Sequence, residues 1–119
     1  MAYKIIATHK RPNTGVDFPR MSDHNSDYDS WRRQYFTDNG ISISFELSGD
    51  ELTLTSTCEC ADRATWNAWL TADETDGRYD ASVKAAVNSD YASRSITIKI
   101  DADEDGSVTN LVPEGNSIP

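Results

Sequence analysis

Basic side chains are scarce in this sequence: 11 Lys and Arg stand against 20 Asp and Glu, a formal net charge of −9. The deficit deepens after the midpoint, with 11 acids to 5 bases in residues 61–119 against 9 to 6 in residues 1–60. No Lys/Arg cluster offsets this field, which repels phosphate backbones and anionic lipid headgroups. Nucleic acid and membrane surfaces are therefore poor partners, and proteins or cations better ones. Long apolar runs are missing too. None approaches the ~20 residues of a membrane span, and the start, Met-Ala-Tyr-Lys, lacks the apolar stretch of a signal peptide. The expectation is a protein made and used in a cytoplasm.

Soft metal ligands are equally few. His9, His24, Cys58 and Cys60 are all there are, and none has the paired spacing of a zinc site. Cys58 and Cys60 stand two apart in a segment that alternates like a strand, so they share a face but lie too far apart to bridge. Free thiols fit a reducing compartment. There is no Gly-x-Ser-x-Gly elbow, no phosphate-cradling glycine loop and no His placed in sequence to activate a cysteine.

What the chain does have is apolar periodicity, enough for the core of one domain of this length. Residues 3–10 alternate Tyr3, Ile5, Ala7 and His9 against Lys4, Ile6, Thr8 and Lys10, which predicts a strand. The Arg11-Pro12-Asn13-Thr14-Gly15 run ends it and opens a long polar loop in which Val16, Phe18 and Met21 dock on the core. Ser26 with Asp29 resembles a capping box, and Tyr28, Trp31 and Tyr35 recur on one helical face until Asn39-Gly40.

Next, Ile41, Ile43, Phe45 and Leu47 alternate strictly with Ser42, Ser44, Glu46 and Ser48. After the turn residues Gly49 and Asp50, Leu52, Leu54, Ser56, Cys58 and Cys60 alternate with threonines and Glu59. This predicts a β-hairpin with one apolar and one Ser/Thr/Glu face. Asp62 is placed to cap a second helix carrying Trp66, Trp69 and Leu70. A polar break at residues 71–77 predicts an interruption before periodicity resumes at Tyr79, Val83 and Val87. Ile96, Ile98 and Ile100 predict a fourth strand, and residues 107–112 a short edge strand.

The order strand, helix, strand, strand, helix, strand is the split βαβ pattern. The expected fold is therefore α+β and ferredoxin-like: an antiparallel four-stranded sheet with helices on one face over residues 1–112, followed by a flexible tail at 113–119. Ile5 and Ile6 leave both faces of the first strand partly apolar, which points to self-association through the sheet face that no helix covers.

The hairpin at residues 41–60, followed by a helix bearing Trp66 and Trp69, resembles dimeric α+β barrel proteins such as antibiotic-biosynthesis-type monooxygenases. That resemblance lies in element order and transfers no catalytic residue. The wording Lys10-Arg11-Pro12-Asn13-Thr14-Gly15-Val16-Asp17-Phe18 after a short strand, with the later Leu52-Thr53-Leu54-Thr55-Ser56-Thr57 run, is similar to small uncharacterised proteins of marine, especially cyanobacterial, tailed phages. It covers about the first 70 residues and implies a phage accessory or virion-associated protein, made in the host cytoplasm and acting through protein contacts.

Two candidate sites stand out. Asp101, Asp103 and Asp105 before Gly106 copy the first half of a calcium loop, in which alternating carboxylates converge on one hard cation. Val112 stands where that loop needs a bidentate Glu, Glu104 occupies the fourth position and no helix follows. The competing reading is an acidic turn between two strands, and any calcium binding would be weak. The second candidate is a pocket between sheet and helices lined by His9, Trp31, Tyr35, Trp66 and Trp69. It would suit a cofactor-independent enzyme or small-ligand binder of the dimeric barrel kind. Against it, aromatics at helical spacing commonly fill a core, and His9 reads as a surface residue on a strand edge.

Overall fold

Strand β1 (Tyr3–Lys10) is the spine of the sheet, because both its edges are paired. The structure, a computed structural model, describes residues 2–116. β1 runs antiparallel to β3 (Thr53–Cys60) on one side and to β4 (Thr97–Glu104) on the other. β2 (Ser42–Leu47) pairs with β3, and β5 (Ser107–Gly115) with β4. Among the described residues these form one open antiparallel sheet in the order β2-β3-β1-β4-β5.

The first four strands interleave as the split βαβ pattern requires, with β1 between β3 and β4. The expected count of four is corrected to five, and the sheet is not a closed barrel: β2 and β5 remain as edges. The fifth strand follows from Asp105 and Gly106, both at positive φ (52° and 89°). This is the two-residue hairpin turn that Asp-Gly favours. β5 runs through Gly115, so Pro113, Glu114 and Gly115 belong to the sheet rather than to a tail, whose last residues, 117–119, lie outside the described residues.

Helix α1 (Met21–His24) is a single turn inside the expected loop. α2 (Ser26–Asp38) is capped one residue earlier than predicted, with Asn25 Oδ1 accepting the Tyr28 amide at 2.9 Å. α3 (Arg63–Asp76) is capped by Asp62, whose carboxylate accepts the Thr65 amide at 2.8 Å, and it ends at Gly77 in the left-handed conformation (φ 74°). The expected break at residues 71–77 is therefore no break until its last residue. Asp73 sits one turn beyond Trp69 and Leu70 and is held there by the Tyr28 hydroxyl. α4 (Ala81–Ser93) follows, capped by Asp80.

The helices lie on the face of the sheet that carries Tyr3, Ile5, Cys60 and Ala102, which form one core cluster with Tyr28, Phe36, Ile41 and Trp69. A second cluster joins Val87, Tyr91 and Ile96 to Val16, Phe18 and Met21, so the loop after β1 docks as expected. Arg11 pins that loop by donating to Val16 O at 3.0 Å and to Glu51 O at 2.8 Å while lying 4.7 Å over the Phe18 ring. Arg63 ties the start of α3 to the end of β4 through a bidentate pair with Glu104 (3.1 and 3.0 Å).

The opposite face carries Lys4, Ile6, Thr8 and Lys10 beside Glu59, Thr57, Thr55 and Thr53 and beside Asp103, Asp101, Lys99 and Thr97. Ile6 thus has polar partners on both neighbouring strands, and Val108, opposite Asp103, adds an exposed apolar side chain to this face.

Trp69 is only 4% exposed and meets Phe36 edge-on at 5.0 Å. Trp69→Ala is expected to destabilise the fold by roughly 3–5 kcal/mol, whereas Asp62→Ala, which removes only a cap, should cost about 1 kcal/mol. Urea unfolding of the two variants side by side checks both values.

Candidate functional site

Neither predicted site assembles as its sequence pattern suggested. Of the three aspartates, Asp101 accepts from Asn110 Nδ2 at 2.9 Å and lies 3.4 Å from Lys99 Nζ. Asp103 accepts the Gly106 amide at 2.9 Å, and Asp105 the Ala2 amide at 3.1 Å. These carboxylates cap a hairpin instead of converging on one point, because β4 continues through Asp101 and Asp103 where a calcium loop would curl. Among the described residues, no group of three or more His, Cys, Asp or Glu is placed to hold a metal. Millimolar calcium should accordingly leave the melting temperature unchanged in a thermal scan, and a rise of several degrees would overturn this assignment.

The aromatic residues proposed as pocket lining are in contact with one another. Trp69 meets Trp31 at 5.5 Å and Tyr35 at 5.3 Å, and Phe36, which touches Trp69, reaches Trp66 at 6.2 Å. Their rings fill the space between α2 and α3. An open groove of ≈ 570 Å³ on α3 is lined by Trp31, Ala68, Thr71, Ala72, Thr75 and Asp76, and so includes only one of the five predicted residues.

His9 is neither on a strand edge nor among the tryptophans. It lies on the central strand with its Nδ1 3.2 Å from the Tyr91 hydroxyl, under α4. Burial lowers its pKa from 6.5 to about 4 and pushes that of Tyr91 up to about 12. Burial also raises the Cys58 thiol to about 11 and the Cys60 thiol in the same direction, so neither is a thiolate nucleophile at neutral pH.

A polar joint among α2, α3 and α4 escaped the sequence reading. Tyr28 and Tyr79 stack at 5.1 Å, with Arg32 over the first ring at 5.8 Å and Lys84 over the second at 5.4 Å. Asp73 hydrogen-bonds Tyr28, and burial raises the pKa values of its carboxyl and of both phenols. The Oδ1 atom of Asp73 is buried without a hydrogen-bond partner. Only tertiary folding brings these residues together, and no motif marks them.

Large apolar side chains are exposed at Leu70 on α3, at Val108 and Leu111 on β5, and as a continuous strip at the β2 edge. Register places Ile43, Phe45 and Leu47 opposite Cys58, Ser56 and Leu54, all on the helix-side face. Ile41 is buried beneath α2, where its amide bonds Phe36 O at 2.9 Å. Beyond it the strand runs out from under the helices: Ile43 is 38%, Phe45 61% and Leu47 44% exposed. The hairpin alternation predicts an apolar face here, and the structure leaves that face exposed beyond Ile41.

Set against known proteins, the chain matches no family model, no curated protein and no solved structure. No helix among the described residues is long and apolar enough to cross a membrane.

The His9 shift carries a sign. Between pH 6.5 and about 4 the unfolded chain binds a proton that the folded chain refuses, so stability falls as pH drops through that window and levels off below it. The loss attributable to His9 is up to about 3 kcal/mol. Denaturant unfolding at pH 7 and pH 4.5 should show a smaller acid loss for His9→Gln than for the native chain.

Proposed function

We propose that this protein works through protein–protein contact, as a small structural, decoration or assembly component of a phage. The observation that carries the contact reading is the strip Ile43, Phe45 and Leu47, large apolar side chains left exposed on a regular strand at the open edge of the sheet. A run of this kind on an otherwise strongly acidic chain is the type of surface that marks interaction sites. The phage context comes from the wording of residues 10–18 and 52–57 and from the small acidic domain around them.

The acidic charge keeps copies apart at low concentration, while an apolar edge with a single charge, Glu46, on its other face permits close docking once a partner is held nearby. Self-association is part of this reading, with the contact at the β2 edge rather than on the Thr-rich outer face.

The test is made on the particle. In phage preparations carrying this gene, mass spectrometry of purified virions is expected to recover the chain at a reproducible copy number. Its absence from purified particles would remove the virion component and leave only an assembly or host-directed accessory role.

A further inference from the structure

We propose that β2 pairs antiparallel with β2 of a second copy about a twofold axis centred on Phe45, joining the two five-stranded sheets into one. This rests on the contact reading above and names the partner. The two sheet edges differ in how they are protected. β5 carries Pro113, breaks register between Ile98 and Ile100 and again between Ile100 and Asp101, and has Glu114 bound to Lys10 at 3.3 Å. These are devices that discourage strand addition. β2 has neither a proline nor a register break, and its one charge, Glu46, lies on the outer face away from Ile43, Phe45 and Leu47.

The backbone of β2 is oriented for such a partner. Ser48 donates its amide to Thr53 O at 2.9 Å, so antiparallel alternation turns the amides and carbonyls of Ser42, Ser44 and Glu46 toward β3. Those of Ile43, Phe45 and Leu47 point to the open side. With Phe45 opposite its own copy and Ile43 opposite Leu47 of the other, about six main-chain hydrogen bonds form across the axis. Charge selects this register over its neighbour: Glu46 then faces Ser44 of the second copy, whereas a shift placing Leu47 opposite Phe45 would set Glu46 against itself. An isologous contact consumes the unprotected edge of both copies, so the assembly closes at two.

The contact is small. Phe45 offers on the order of 100 Å² of exposed ring, and the strand as a whole less than the roughly 800 Å² per partner of a standard interface. The dimer is therefore concentration-dependent and dissociates on dilution.

The experiment is analytical ultracentrifugation of the full chain over a concentration series, with Ser44→Lys and Ser44→Glu beside it. Ser44 is exposed, so both variants should keep the native circular dichroism spectrum. The expected result is a reversible monomer–dimer equilibrium that Ser44→Lys tightens and Ser44→Glu weakens, each by roughly two- to tenfold through the paired Glu46. A dimer indifferent to both changes would place the contact elsewhere and overturn the proposal. A monomer at every concentration would overturn it too, yet leave the contact reading standing with a different protein as partner, since recovery of the chain from virions is an independent measurement.

Discussion

Trp69 meets Phe36 edge-on and lies against Trp31 and Tyr35, and the seating of α2 and α3 on the sheet follows from that packing. An aromatic group of this size excludes water over a wide area and tolerates little displacement, because ring pairs keep their favourable energy only over a narrow range of separations and tilts. With α2 and α3 locked by one another, their joint footprint falls on Tyr3, Ile5, Cys60 and Ala102. The loop at 11–20 and α4 cover the β4 side, where Val87, Tyr91 and Ile96 are buried. The cover runs out before it reaches the far half of β2.

The exposed strip is a consequence of this geometry rather than of any oddity in β2 itself. A sheet of five strands is wider than the cover provided by the helices and one docked loop, and the uncovered margin falls at an edge. At the other margin Val108 and Leu111 are exposed as well, but β5 carries a register break and a proline. Apart from Ile6 and Val108, the outer face carries threonines, lysines and carboxylates in register, with Lys4 and Glu59 3.5 Å apart. Net negative charge and an apolar edge are compatible because the charges lie on other faces.

Much of this was legible in the residues. Strict alternation across residues 41–60 and 96–100 located three strands, since a period of two has no other stable reading when one face is apolar. Asp62 marked a helix start because a carboxylate there can accept orphan amides. The misreadings share a cause. Asp73 continues a helix that looked broken because Tyr28, from another element, satisfies it. Asp101 and Asp103 resemble a cation loop only until β4 is seen to run through them, and His9 looked peripheral because nothing local reveals that β1 is paired on both sides.

Local chemistry alone settled the α+β character of the chain, the order of its first elements and its acidic field. Each depends on neighbours a few residues apart or on summed charge. Which side of β1 the helices cover, whether four aromatics enclose a space or fill it, and whether Phe45 belongs to core or surface were decided only by tertiary structure. Those outcomes depend on how far the helices extend across the sheet, a quantity fixed by contacts between residues distant in the chain.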